Sequence, residues 1–214
     1  AGPTQRDLTT MDLHSLDDTQ LDAMREIANI GAGHAATALS QMTDRPIMID
    51  VPQLHIVRLE DVDNLIGEPG EPVAAVLMKV LGDVTGRIVQ VFPGSSAVKL
   101  TTMMVGGAEP SFPDGFDAMH QSALKEIGNT IVGAHLNALS DLMGMVLIMS
   151  VPSLAIDMAG AIMATSYINF GHARDHVFCV NTLMRMGGDE VNASFLLIPD
   201  EASLRVILRQ MNLA

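Results

Sequence analysis

The stretch DAMREIANIGAGHAATALSQMTDRPIMIDVPQL, Asp22–Leu54, returns one hundred residues later as SALKEIGNTIVGAHLNALSDLMGMVLIMSVPSL, Ser122–Leu154, without a gap. Ala23, Glu26, Ile27, Asn29, Gly33, Ala38, Leu39, Ser40, Val51, Pro52 and Leu54 recur identically. A repeat of this length is the signature of a duplicated structural unit and governs every later reading. Similarity resumes at a shift of 106, with Met78-Lys79 matching Met184-Arg185, Gly82-Asp83 matching Gly188-Asp189 and Pro93 matching Pro199. The change of shift places an insertion ahead of the later strands of the second copy.

Within each copy the periodicity changes from helical to extended. Leu21, Met24, Ala28, Gly31, Ala35, Ala38 and Met42 recur at helical spacing and predict a helix over Thr19–Met42. Thr19 followed by Asp22 resembles a capping box at its start. The copy predicts a helix from about Phe116 to Met143, and Pro46–Val57 and Val146–Ile156 read as strands rich in β-branched residues. Val73–Leu81 with Arg87–Phe92, and Val177–Met186 with Val191–Ile198, read as hairpins around glycine-containing turns. Closing helices follow Pro93-Gly94 and Pro199-Asp200 and end near Met104 and Met211. Hairpin connections imply antiparallel pairing, so the expected class is α+β, a mostly antiparallel sheet with pseudo-twofold symmetry and two long helices. Half-size units would each have a thin core. The expected organisation is therefore an N-terminal tail over residues 1–17 and one domain over 18–214, made of repeats 18–107 and 115–214.

The 214 residues are 48% hydrophobic and only 17% charged, which favours a packed core over disorder. Aromatic residues are scarce, so sixteen Met must fill much of that core. A net charge of −13 argues against polyanion binding, because neutralising phosphates needs basic patches. The longest apolar run, Met145–Met149, is far too short for a membrane span, and a single Cys179 excludes an intrachain disulfide. A soluble protein of the reducing cytoplasm is expected, with no nucleic-acid or membrane-inserted partner.

The first long helix carries a second stripe. Asp22, Glu26, Asn29, Gly33 and Ser40 share a face, and Ser122, Glu126, Asn129, Gly133 and Ser140 repeat it. Mid-helix Asn competes with the backbone for hydrogen bonds, and mid-helix Gly costs about 1 kcal/mol relative to Ala. One such stripe is most simply a solvated surface. Two copies that keep both unfavourable residues, while most other positions diverge, point to a use. Glu can pair with a cation, and Asn can both donate to and accept from a water molecule. Gly one turn beyond Asn leaves room for another backbone to approach.

The pattern Asp/Ser, three residues, Glu, two residues, Asn, then 22 residues and Pro resembles the signature of the CheC/CheX/FliY chemotaxis phosphatases. It occurs as Asp22, Glu26, Asn29, Pro52 and again as Ser122, Glu126, Asn129, Pro152. Two intact copies resemble CheC more than CheX, and the further C-terminal domain of FliY has no counterpart before Ala214. The resemblance implies hydrolysis of the aspartyl phosphate of a CheY-like response regulator. Asn29 or Asn129 would orient the attacking water, and Glu26 or Glu126 would bind the regulator's lysine. Asp22, Ser122, Gly33, Gly133, Pro52 and Pro152 would shape the site, and His34 would alter its rim at most. No cofactor of its own is implied, since Mg²⁺ belongs to the regulator. The resemblance also implies docking of the receptor deamidase CheD around Ile156–Met163, with Asp157, Met158, Ile162 and Met163 as candidate contacts; a short packing helix is the alternative there. A module that sequesters phosphorylated CheY without hydrolysing it is the competing class.

Other candidates carry less. His172 and His176 flank Asp175 at a spacing that can hold a metal, but no third ligand cluster is evident, so no metal site is expected. His34 and His135 are not equivalent under the repeat, and Cys179, in a predicted strand, reads as a buried thiol.

Overall fold

The computed structural model describes residues 18–170 and 176–211. The two long helices are α1, Asp18–Thr43, and α4, Ala118–Met143, each 26 residues long. They match the predicted spans to within two residues. Asp117 caps α4, its carboxylate accepting the N–H groups of Met119 and His120 at 2.9 and 3.0 Å. Those bonds, the His120 N–H first among them, hold the Asp117 carboxyl below the ordinary range. The expected capping box at Thr19 is not formed. α1 is already helical at Asp18, and the Asp22 carboxylate pairs with Arg25 at 2.9 Å. Both helices end in a left-handed residue at the same repeat position, Asp44 (φ 52°) and Gly144 (φ 62°). Ser40 then ties the end of α1 to the strand that follows through Ile47 N–H, and Ser140 ties the end of α4 to the segment leading into the next strand through the Met145 carbonyl. These serines are structural, although they continue the polar stripe.

The strands are β1 (Ile47–Ile49), β2 (Gln53–Arg58), β3 (Pro72–Gly82), β4 (Gly86–Pro93), β5 (Leu147–Met149), β6 (Ser153–Met158), β7 (His176–Met186) and β8 (Asp189–Pro199). Among the described residues they form one antiparallel sheet of six lanes. β1 and β2 together edge β7, followed by β8, β4 and β3, with β5 and β6 together on the far edge. Each repeat therefore lends its first strands to the other repeat's hairpin. The single strands expected over Pro46–Val57 and Val146–Ile156 are each broken in two. The pairing of Ile49 with Met184 and of Gln53 with Asn181 leaves one residue extra, as does that of Met149 with Val80 and Ser153 with Leu77. The result is a β-bulge at Asp50-Val51-Pro52 and another at Ser150-Val151-Pro152. Proline, which has no N–H to give the ladder, sits where pairing lapses.

The strand registers also correct the sequence alignment. Ser153 faces Leu77 and its counterpart Gln53 faces Asn181, so β3 maps onto β7 with a shift of 104 rather than 106. β4 then maps onto β8 with a shift of 105, because Val80 faces Gly86 and Met184 faces Val191. The tips differ in length, with six residues between Met184 and Val191 against five between Val80 and Gly86. Under this mapping Gln90 faces its own counterpart, Phe195, so the pseudo-twofold axis passes through that pair. An axis crossing the sheet there relates α1 and α4 as antiparallel neighbours.

One face of the sheet carries α1, α4, α3 (Gly94–Val105) and α6 (Glu201–Met211) over a core that includes Val76, Phe92, Ile127, Phe178 and Met184. The other face is covered by a 3-10 turn (Leu59–Asp61), α2 (Asp63–Ile66) and α5 (Ala159–Phe170) over Val73, Val91, Met163, Cys179 and Leu196. Burial raises the Cys179 thiol to about 12, so it is an inert core residue. At the axis, His135 stacks on Phe195 with ring centroids 4.8 Å apart. A Cβ on Gly31 would lie 2.9 Å from the His135 ring, so glycine is what lets α1 approach α4 here. His135 Nδ1 bonds the Ile131 carbonyl at 2.9 Å, while its Nε2 and both amide atoms of the fully buried Gln90 have no partner among the described residues.

Two outcomes follow from these buried polar groups. Gln90→Met keeps the volume and removes an unpaired amide, so urea denaturation should show a gain of about 1–2 kcal/mol. Burial lowers the His135 pKa, its bond to Ile131 opposing only in part. The stabilising neutral form is fully present above the unfolded value of about 6.5, and stability is lost as pH falls below it, where the unfolded chain takes up a proton the folded chain refuses. The melting temperature should therefore fall more steeply on acidification for the parent than for His135→Leu; equal slopes would exclude this account.

Candidate functional site

The buried face of α1 consists of Met24, Ile27, Ala28, Gly31, Ala32, Ala35 and Leu39. That anchoring turns the opposite face outward, and Asp22, Glu26, Asn29, Gly33 and His34 are all exposed on it. Glu26 and Asn29 stand one turn apart, where side chains are surface neighbours. The Asp22–Arg25 ion pair is exposed and borders this face, so it contributes little to stability. The expected close approach at Gly33 is not made within the chain. A Cβ there would meet nothing within 4 Å, and the intrachain close approach is made instead by Gly31.

α4 presents the second copy in a tighter setting. Ser122 and Glu126 are exposed, whereas Asn129 and Gly133 are half-buried. A Cβ on Gly133 would come within 3.3 Å of the Met149 methyl from β5. α4 also packs against α3 and α6, which widens its buried arc to include Ala123, Ala134, Leu136 and Ala138, whose counterparts on α1 are half-buried or exposed. The two pairs thus share a helix position and differ in access. Pro52 and Pro152 sit half-buried in the bulges of the adjoining strands. Beside them Val51 and Val151 are 82% and 87% exposed, and the sequence reading passed over both because they looked like continuing strand residues.

The expected CheD contacts divide. Asp157 and Met158 are exposed, but they end strand β6 and do not begin a helix. Ile162 and Met163 are buried at 5% and 0% exposure beneath α5 in the second core, so they are packing residues and not a contact surface. Of the His172, Asp175 and His176 group, the first two lie outside the described residues. Among the described residues no cluster of three potential metal ligands occurs, and no helix is long and apolar enough to cross a membrane.

What these two helices can do chemically is limited and specific. Each offers a carboxylate and a carboxamide one turn apart, on a rigid element, reachable by a macromolecule. Neither group is a strong nucleophile, so the pairs suit docking of a cation and orientation of a water or polar group.

The profile of the CheC-like family matches residues 20–56, and that of the chemotaxis phosphatase CheX matches residues 74–171. The chain is 31% identical over 190 residues to the CheY-P phosphatase CheC of Bacillus subtilis, covering 87% of this chain and 91% of that protein. It is 25% identical over 129 residues to the flagellar motor switch phosphatase FliY of the same organism, covering 60% of this chain and 33% of that protein. Thermotoga maritima FliY superposes with a TM-score of 0.73 at 21% identity, over 92% of this chain and 98% of that one. The middle domain of Helicobacter pylori FliM does so at 0.67 and 11% identity, over 91% and 99%. The last two likenesses concern the fold alone. Identity sustained across most of both chains, with the CheC-like profile lying over the helix that carries Glu26 and Asn29, shows that the chain belongs to the CheC family of chemotaxis phosphatases.

Proposed function

We propose that the chain hydrolyses the aspartyl phosphate of a CheY-like response regulator at two sites, Glu26/Asn29 and Glu126/Asn129. The observation that carries this reading is the repetition of an outward Glu and an Asn one turn apart on two helices whose other faces are packed. The similarity to a protein named CheY-P phosphatase supports the substrate class. In this reading the regulator supplies the phosphoaspartate, its Mg²⁺ and a lysine. Glu26 or Glu126 pairs with that lysine and fixes register, as charge complementarity across interfaces does. The carboxamide of Asn29 or Asn129 enters beside the phosphoryl group and holds a water in line with the P–O bond to be broken. Water attacks phosphorus, the aspartate carboxylate leaves, and inorganic phosphate is the second product. Phosphoryl transfer has a loose transition state, so positioning and charge stabilisation supply most of the acceleration. Asp22 and Ser122 border the approach, the open surface at Gly33 admits the partner's backbone, and the bulges at Pro52 and Pro152 shape the strands alongside.

The test is decay of phosphorylated CheY with catalytic amounts of the chain. Asn29→Ala combined with Asn129→Ala should reduce the stimulated rate at least about 100-fold, the scale of a lost water-positioning group, with an unchanged circular dichroism spectrum. Full activity in the double variant would sink the mechanism. Glu26→Ala with Glu126→Ala should act through weaker regulator binding, seen as a raised KM. Decay that stops at stoichiometric amounts would favour the sequestering module instead.

A further inference from the structure

Across the repeated stretch, few solvent-facing positions have stayed the same. Glu26/Glu126 and Val51/Val151 are exposed in both copies and identical. Every other position exposed in both copies has diverged, from Asp22/Ser122 to Gln53/Ser153, including the nearby Pro46/Val146 and Met48/Ile148. The twice-kept glutamate meets the regulator's lysine in the proposed mechanism. The twice-kept valine has no part in it.

The fold itself makes little use of an isopropyl group there. The preference of valine for strands comes from packing against cross-strand and same-face neighbours. Val51 and Val151 stand 82% and 87% exposed, in bulges where pairing lapses. The residue before a proline must be extended, which valine satisfies, but threonine has the same branched shape and satisfies it too. The backbone ahead of each valine is pinned at the same rung. The Asp50 N–H donates to the Leu183 carbonyl and the Ser150 N–H to the Lys79 carbonyl, both at 2.9 Å. The valine is thus presented from a fixed backbone, with one stiff torsion to lose on binding.

Its level relative to the Glu/Asn pairs follows from two contacts. Ser140 meets Met145 and Gly133 lies under the Met149 methyl, so β5 runs forward as α4 runs back. Two further strand residues advance roughly 6.6 Å and four helical residues about 6 Å, which brings Val151 level with Asn129. The first repeat follows the same course from Ser40 on Ile47 and brings Val51 level with Asn29. Each carboxamide therefore has an acid one turn away on its helix and an apolar knob on the adjoining strand.

We infer that Val51 and Val151 are apolar anchors for the phosphorylated response regulator, each meeting a nonpolar patch of the regulator's surface beside its own Glu/Asn pair. The inference rests on the phosphatase reading and adds to it the group that supplies buried area, where glutamate supplies charge and asparagine positions water. The regulator is the fitting occupant because it alone brings a surface down to the level of the carboxamide. Burying an isopropyl group strengthens binding by about tenfold or more.

The test joins steady-state decay of phosphorylated CheY to binding of beryllofluoride-activated CheY, on the intact chain. Val51→Thr combined with Val151→Thr should raise KM and weaken binding by about tenfold, the scale of burying a hydroxyl against an apolar surface, with kcat held. Val51→Ile with Val151→Ile should bind as the parent does. Met48→Thr, at an exposed apolar position that has diverged, should leave both readouts unchanged. An unaltered circular dichroism spectrum checks that the threonine variant keeps its fold. If the parent chain does not stimulate decay, the phosphatase reading falls and the inference with it. Parent activity with KM and affinity indifferent to both valines would overturn the inference alone. A mass that falls on Val→Thr in sedimentation, with KM held, would assign the valines to contact between copies of this chain and overturn it equally.

Discussion

Where α1 and α4 cross the pseudo-twofold axis, the imidazole of His135 lies flat on Phe195, in a notch that exists because Gly31 has no side chain. The counterparts at that level are Ala35 and Ile131, both buried. The duplication has therefore been filled in two ways, glycine against a ring on one side and alanine beside a branched aliphatic on the other. Interiors packed at crystal-like density do not tolerate a missing or extra methyl group without a shift. The helix pair consequently has one seating on the sheet. From it follows which arc of each helix is buried, and so which arc carries Glu26, Asn29, Glu126 and Asn129 outward.

The exchange of first strands makes that seating a property of both repeats together. β1 and β2 complete the hairpin of the second repeat, and β5 and β6 complete that of the first. Each helix is fastened at its C-terminal end, through Ser40 or Ser140, to or just ahead of a strand that lies in the other repeat's half of the sheet. A displacement of one hairpin would carry the opposite repeat's helix with it. The bulges at residues 50–52 and 150–152 add a local consequence. They place Val51 and Val151 in solvent where an unbroken strand would continue its alternation, and they do so along the strands that flank the site helices.

How far this was legible in the sequence depends on the range of the determining interactions. The helices were, because a 3.6-residue stripe is local and both copies carry it. The polar stripe on their outer faces was for the same reason, since Asn29 and Asn129 are costly at mid-helix and conspicuous. The strand register was not. Met78-Lys79 and Met184-Arg185 look alike, yet the sheet aligns Lys79 with Leu183, two residues away. A slip of two leaves every side chain on the same face, so the alternation of buried and exposed positions cannot report it. The breaks at Pro52 and Pro152 were hidden because Val51 and Val151 have the composition of a continuing strand. Ile162 and Met163 were misassigned because α5 is apolar around much of its circumference, and only its placement over Val73, Cys179 and Leu196 shows which arc is inward. The swapped edges depend on partners 65 to 139 residues apart, which no local pattern encodes.

Duplication supplied two copies of one surface, but packing has already made them different. Around Asn29 the neighbouring Gly33 opens on empty space, whereas Gly133 is roofed by the Met149 methyl and Asn129 is half withdrawn. The difference traces to α4, which is flanked by α3 and α6 and so buries a wider arc. An approaching group would reach the first pair over a bare glycine, while at the second it would have to fit against, or displace, a flexible thioether from β5. Methionine is suited to that adjustment, because its unbranched chain can leave one packing arrangement for another at low cost. The second pair is thus bordered by β5 at Met149, while the first has no such neighbour at Gly33.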